Sequence, residues 1–231
     1  FVRWLRILRT YDIVLPLREG LLAFFASIFY GMVTVGGVGE LTRTGVLIAR
    51  DVHWSRALVS CLFDRVLDVA GGSGSYSIAL AMNDPTARCT LLDLPPVCDV
   101  ARDYAARHGV ADRILTVAGN MFEDAWPDGH DAVFMADIFH DWDDVRCERL
   151  AARAFAALAP GGKVMLHEML LAETKDGPRD AVAYSMIMVL ITEGRQRTAR
   201  ELSLLLSSAG FIDIRVRQTA NGYAVVEGTK P

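Results

Sequence analysis

Cysteine is scarce and unpatterned. The four thiols, Cys61, Cys89, Cys98 and Cys147, form no CxxC pair and match no zinc-ligand spacing. A disulfide scaffold and a zinc module are thereby set aside, no metal is expected, and reduced thiols in a cytoplasmic protein are. Positive charge is not in excess: 24 Lys and Arg against 28 Asp and Glu leave −4. Nothing pulls the chain as a whole toward nucleic acid or an anionic membrane, so neither is expected as a partner. Arg3, Arg6 and Arg9 recur at helical spacing and read as a solvated face. Internal repeats and low-complexity tracts are missing. No secretory leader is visible, and Phe1 in place of Met raises the expectation that the true start lies outside this sequence. One uncharged run, Gly20 to Gly39, approaches the length of a membrane span. Gly31, Gly36, Gly37 and Gly39 interrupt it, and Met32–Val35 reads as a strand before a turn. The run therefore reads as a short buried helix, Leu21 to Tyr30, followed by a β-hairpin reaching Glu40-Leu41-Thr42.

What the chain does have is apolar residues, 52% of 231, enough for a large domain with a small companion. From Arg65 onward strand and helix signals alternate. Strands are expected at Arg65–Ala70, Arg88–Leu94, Ile114–Ala118, Asp131–Ala136 and Lys163–Met169, with helices over Ser75–Asn83, Val97–His108 and Asp144–Leu158. Short, nearly continuous apolar strands between helices indicate an α/β fold, a parallel Rossmann-like sheet covered on both faces. The end of the chain differs. After a helix from about Thr198 to Ala209 come Phe211–Arg217 and Tyr223–Gly228, joined by a short linker containing Asn221-Gly222. Strands joined this closely must be antiparallel. A parallel sheet closed by an antiparallel hairpin is the ending expected of a class I methyltransferase.

The most informative stretch is Asp68-Val69-Ala70-Gly71-Gly72-Ser73-Gly74. A buried strand runs into a glycine-rich turn and then a helix. The glycines admit close approach of a ligand to the backbone, and the helix start adds a positive dipole end. Dinucleotide enzymes use such a loop too. Two acids shift the balance. Asp68 would repel a pyrophosphate and welcome a cationic amino acid moiety. Asp93 ends the second strand 19 residues after Gly74, near the spacing at which an acid accepts from ribose hydroxyls.

At this point the residues resemble a family: the small-molecule O-methyltransferases that include plant caffeate and flavonoid enzymes, acetylserotonin O-methyltransferase and bacterial natural-product enzymes. The resemblance covers about Arg65 to Pro231. Its motifs are the glycine loop, Leu92-Asp93-Leu94-Pro95, Gly119-Asn120-Met121-Phe122 and His140-Asp141-Trp142-Asp143-Asp144, then Pro160-Gly161-Gly162-Lys163, Glu193-Gly194-Arg195-Gln196-Arg197-Thr198 and Leu204 to Phe211. It implies S-adenosylmethionine as cofactor, with S-adenosylhomocysteine as product, and a small-molecule methyl acceptor. Asp68, Gly71, Gly72, Gly74, Asp93 and Leu94 would hold the cofactor, Asp93 through the ribose. Asn120 and Met121 would meet the adenine, and Trp142 would pack near it. The family usually has Asp where Asn120 stands. His140 would be the general base and Glu168 the acid that orients it.

A phenol is a poor nucleophile at neutral pH, and histidine has the pKa to remove its proton. His140 follows the fourth strand at the carboxyl edge, where α/β ligands bind. His53, His108 and His130 read as surface or turn positions, and His167 as a packed residue inside a strand. Asp141 reads as a helix cap or local orienter. Plant members carry a second carboxylate where this chain has Gln196, which can hydrogen-bond an imidazole but brings no charge. A C- or N-methyltransferase of the same fold, or a cofactor-binding protein without activity, stays open beside O-methylation. Residues 1–60 resemble an abbreviated, mainly helical, winged-helix-like region that would make a homodimer, and residues 61–231 the cofactor-binding domain. The step from Trp54 to Arg65 is short for this family, so either the protein is naturally abbreviated or segments are missing.

Overall fold

A computed structural model describes residues 65–219 and 222–231. The readings for residues 1–60, namely the winged-helix-like region, the uncharged run and His53, lie outside them. Among the described residues no helix is long and apolar enough to cross a membrane.

The chain alternates as expected. β1 (Arg65–Val69), α1 (Ser75–Asn83), β2 (Arg88–Asp93), α2 (Pro95–Arg107), β3 (Ile114–Ala118) and β4 (His130–Ala136) come first. Then follow α3 (Asp144–Ala157), β5 (Leu158–Met169), α4 (Arg179–Ile191), α5 (Ala199–Ser208), β6 (Ile212–Gln218) and β7 (Tyr223–Thr229). They build one seven-stranded sheet in the order β3-β2-β1-β4-β5-β7-β6. The first five strands are parallel, and β7 pairs antiparallel with both β5 and β6. The closing hairpin is therefore present, with β7 inserted beside β5.

Period-two alternation settles which side chains go where. Leu67, Val69, Val133, Met135, Val164, Leu166 and Val226 lie on one face, packed with Leu150, Ala151 and Ala154 of α3 and Leu202 and Leu206 of α5. All of these are at most 1% exposed. Fully burying side chains of this size is worth about 1.5–3 kcal/mol each. α5 begins at a capping box: Thr198 Oγ1 accepts from Glu201 N, and the Glu201 carboxylate accepts from Thr198 N.

Four expectations are corrected. α2 starts at Pro95 and Pro96, because proline is favoured in a first turn where its missing N–H costs nothing. β5 begins at Leu158, five residues earlier than expected, since Leu158 pairs with His130 at the sheet's far end. α4 was not anticipated: its sequence, Arg-Asp-Ala-Val-Ala-Tyr-Ser-Met-Ile-Met-Val-Leu-Ile, is apolar all round and offers no 3.6-residue polar face to read. His130 is buried, with Nε2 2.8 Å from Thr90 Oγ1, because it opens β4 rather than lying in a turn.

Candidate active site

Every candidate residue from the sequence sits at the carboxyl edge of the parallel strands or on the loops above it. The glycine loop joins β1 to α1. Gly71 approaches Asp68 so closely that a Cβ on it would lie 2.7 Å from the Asp68 carboxyl carbon. Asp68 is buried and accepts from Ser77 Oγ at 2.6 Å. Burial pushes its carboxyl up to about 6, against the Ser77 hydrogen bond. Asp68 thus underpins the loop from inside. Gly74, with φ +78°, is the N-cap of α1. Asp93, half-buried, accepts from Gly72 N at 2.9 Å through Oδ2 and from Leu94 N at 2.7 Å through Oδ1. A carboxylate has about four acceptor positions, so lone pairs are left for a pair of vicinal hydroxyls. Leu94 is exposed beside it.

Above β3, Asn120 turns its side chain onto its own loop, with Oδ1 accepting from Phe122 N at 2.9 Å. Met121 and Trp142 both pack against the main core cluster, and the Phe122 and Trp142 rings meet edge-to-face at 4.9 Å. Arg146 lies 5.2 Å over the Trp142 ring. Met121, Phe122 and Trp142 thus bring apolar surface together above the end of β3.

The other side belongs to His140. It stands in a single 3-10 turn, Phe139–Asp141, just after β4. Glu168, on β5 and 2% exposed, holds that turn. Its Oε1 accepts from Ile138 N at 3.0 Å and Phe139 N at 2.8 Å, and its Oε2 lies 2.8 Å from His140 Nδ1. An ionised carboxylate accepts only, so the network assigns the proton of neutral His140 to Nδ1 and leaves the Nε2 lone pair free. Burial lowers the imidazole's pKa, but the Glu168 hydrogen bond and the charges of Glu168, Asp141 and Asp137 together raise it above the ordinary value.

Asp141 does not cap the next helix; Asp143 does, accepting from Arg146 N. Asp143 is the residue directly before the first helical position, where an N-cap must be. Asp141 instead lies with Oδ1 3.5 Å from His140 Nε2. Gln196 is 1% exposed and lines one recess with His140 and Glu168, and neither polar atom of its amide has a hydrogen-bond partner. His167, next to Glu168 in β5, turns its ring away from the His140–Glu168 pair. It stacks on Tyr223 at 4.9 Å and meets Tyr76 edge-on at 5.5 Å, so it is packed as expected, though among aromatic rings and half-buried.

Two positioning residues escaped the sequence reading. Arg197, 3% exposed, donates to Phe139 O at 2.5 Å, to Trp142 O at 2.9 Å and to Asp144 Oδ1 at 2.7 Å. It ties both ends of the histidine turn to α3. A Cβ on Gly194 would lie 2.2 Å from His140 O and 2.5 Å from Trp142 N. The segment Glu193–Thr198 therefore presses directly on the turn, and Glu193 N donates to Asp141 O at 3.2 Å. Its motif was visible in sequence, but its contact with a loop some fifty residues earlier was not.

The arrangement offers a carboxylate with spare acceptor positions and a glycine loop on one side, and a carboxylate-oriented imidazole on the other. Asp137, His140 and Glu168 also bring ligand-type atoms within 4.8 Å of one another. Glu168 and His140 Nδ1 already satisfy each other there.

Known proteins match this chain. The sequence model of the O-methyltransferase domain matches residues 40–212. A 3-hydroxy-5-methyl-1-naphthoate 3-O-methyltransferase of Streptomyces sahachiroi is 39% identical over 168 residues, covering 72% of this chain and 49% of that protein. Human N-acetylserotonin methyltransferase in complex with SAM superposes with a TM-score of 0.68 at 28% identity, over 97% of this chain and 62% of that one. An O-methyltransferase family 2 protein from Planctomyces limnophilus, in complex with apigenin, gives 0.71 at 29% identity, over 83% and 62%. The chain spans about half the length of the curated relatives it matches. By that match over three-quarters of its length, and by its likeness to these relatives, the chain belongs to the O-methyltransferase domain family.

Proposed function

We propose that the protein transfers a methyl group from S-adenosylmethionine to a hydroxyl of a small, aromatic natural product, with His140 as general base. One observation carries the reading. A buried glutamate fixes the His140 tautomer and leaves its second nitrogen free, beside a glycine loop with a diol-accepting carboxylate.

The residues fit the cofactor. The close packing of Gly71 on Asp68 keeps the loop backbone low and open to a ligand, and Asp93 retains acceptor capacity for ribose hydroxyls. Met121 and Trp142 supply apolar surface for adenine. When bound, the cofactor provides a methyl group on a sulfonium, ready for in-line displacement by an oxygen. His140 Nε2 takes the proton of the acceptor hydroxyl as the oxygen becomes nucleophilic. Glu168 stabilises the imidazolium that results, and Arg197 and Gly194 keep the turn in register. A base whose pKa lies near the working pH combines an available lone pair with a useful proton affinity.

Calorimetry of the native chain with S-adenosylhomocysteine tests the cofactor; no binding would sink the reading. Replacing His140 with Ala is expected to lower turnover roughly 10²–10⁴-fold, the range for removal of a general base, with cofactor affinity kept. Mass spectrometry of product formed with a labelled methyl donor separates O-methylation from C- or N-methylation, which the neutral Gln196 keeps in view. Binding without turnover across a broad acceptor panel would favour a non-catalytic protein. Homodimerisation through residues 1–60 and a cytoplasmic location belong to the same proposal, and sedimentation analysis tests the first.

A further inference from the structure

α4 owes little of its position to burial. Ala181 and Met188 are buried, whereas Met186, Ile187, Val189, Leu190 and Ile191 are all exposed. Ala181, Tyr184, Ser185 and Met188 turn inward, the i, i+3, i+4, i+7 stripe of one helix face, with Tyr184 and Ser185 half-buried. Two contacts seat that face. Ser185 Oγ accepts from Gln196 N at 3.2 Å, and Gln196 lines the recess shared by His140 and Glu168. The Tyr184 ring meets the His140 ring at 5.1 Å between centroids, with the planes 58° apart. Among the described residues no other aromatic ring meets this imidazole, and the Tyr184 hydroxyl makes no hydrogen bond.

Glu168 does not settle the imidazole alone. Its hydrogen bond at Nδ1 chooses between the two ring flips and fixes the tautomer. The χ2 torsion of histidine is broad, so a ring held at one nitrogen still swings, and Nε2 swings with it. The bonds that hold the Phe139–Asp141 turn, from Ile138 N and Phe139 N to Glu168 and from Arg197 to Phe139 O, end on backbone atoms and do not reach the ring. A second surface against the ring is what limits the swing. Tyr184 supplies it, at a separation ordinary for aromatic pairs.

We propose that Tyr184 is a positioning residue whose ring braces the His140 imidazole and keeps Nε2 aimed at the acceptor hydroxyl, with its own hydroxyl dispensable. This rests on the methyl-transfer reading of the site. Tyr184 neither takes nor gives the proton. It acts through the base, whose alignment with the reacting oxygen is lost by displacements well under the size of an atom. The seat of α4 and the aim of the base are then one property, because Ser185 and Tyr184 are neighbours on the same face.

The test is nuclear magnetic resonance of the full chain with labelled histidine, in which His140→Ala identifies the His140 ring signals. The native Cδ2–H of His140 is expected to be rigid, with an order parameter of about 0.85. Tyr184→Ala places the strongest helix former inside α4, and the order parameter is expected to fall below about 0.6. The ring nitrogen shifts should still place the proton on Nδ1, because Glu168 sets the tautomer. Tyr184→Phe is expected to restore the order parameter to within about 0.1 of the native value. In both variants the affinity for S-adenosylhomocysteine by calorimetry should stay within about twofold. A native ring that is already mobile, an Ala variant with unchanged ring order, a Phe variant as mobile as the Ala one, or a moved tautomer would each overturn the proposal. So would loss of cofactor affinity, which would make Tyr184 a cofactor residue, or an Ala variant that does not fold, which would make it a core residue. Failure of the native chain to bind S-adenosylhomocysteine is a different outcome: it removes the methyl-transfer reading and leaves the ring measurement as it stands.

Discussion

Consider Glu168→Gln. Glutamine keeps one oxygen, and Ile138 N and Phe139 N hold it, at 3.0 and 2.8 Å from the present Oε1. The amide nitrogen then replaces Oε2, 2.8 Å from His140 Nδ1. A nitrogen that donates forces Nδ1 to accept, so the imidazole's proton moves to Nε2 and the base loses the lone pair it needs. Imidazolium, if formed, also loses its buried counter-charge. Wrong-tautomer replacements of this kind cost on the order of 10⁴ in rate, and general bases contribute roughly 10²–10⁴. The expected loss is therefore about 10²–10⁴ in kcat, or about 3–5 kcal/mol on the barrier. Stability should change far less. Two charge-assisted hydrogen bonds become neutral ones, at about 1 kcal/mol each, offset by no longer burying a charge. The assay is single-turnover methyl transfer with saturating cofactor, followed from acid to alkaline pH, with urea unfolding alongside. Removing the carboxylate lowers the His140 pKa, so any residual activity should show an acid limb displaced to lower pH. A variant that keeps its rate within threefold, or an acid limb that does not move, would refute the assignment of Glu168 as orienter of the base.

Three further outcomes follow from the same geometry. Gly194→Ala puts a methyl 2.2 Å from His140 O and 2.5 Å from Trp142 N, backbone atoms that cannot step aside; a loss of about 3 kcal/mol or more by denaturant unfolding, with turnover down at least about 100-fold from misplacement of the base, is expected. Arg197→Met takes the guanidinium donor from Phe139 O and Trp142 O, which keep only weaker, longer bonds from Cys147 Sγ and, at Phe139 O, Trp142 N; at about 1.5–3 kcal/mol for each lost hydrogen bond from a charged group the unfolding midpoint should fall while cofactor affinity drops less than turnover. Asp68 has its carboxyl raised from 3.8 to about 6 by burial, so the folded state prefers it protonated; that stabilisation is whole below the unfolded value and is lost as pH rises through about 6. Asp68→Asn cannot ionise, and relative to the native chain it should gain about 3 kcal/mol between about pH 4 and pH 7; a flat difference across that window would contradict the burial argument.

Local pattern reached far in this chain. The five parallel strands were readable from short apolar runs, and the closing hairpin from Asn221-Gly222 and the length of its linker. The roles of the histidine and of Glu168 came from the resemblance of their motifs, and Asp68, Asp93 and Glu168 lie near strand ends with His140 just after one, where an α/β sheet gathers them along one edge. What stayed hidden depends on distance along the chain. Arg197 and Gly194 act on a turn fifty-odd residues away, and a motif does not print its spatial partner. Asp143 rather than Asp141 capped α3 because the choice depends on where the 3-10 turn ends, a matter of one or two residues. α4 was missed because an amphipathic signal needs a polar face, and its residues offer none.

The strand order has a further consequence. Chain connection reverses direction between β1 and β4, which are neighbours in the sheet. Asp68, Asp93 and Asn120 arise on the β1–β3 side of that seam, and Asp137, His140 and Glu168 on the β4–β5 side. On the proposed reading, donor handling falls mainly to the first stretch, with Trp142 reaching across from the second, and acceptor handling to the second; the two meet along a single line. On that reading, substitutions beyond the seam retune which molecule is modified while most of the half proposed to hold the methyl donor stays as it is. A fold divided in this way lets one inherited donor grip be joined to many acceptor chemistries, each change confined to its own bank of the cleft.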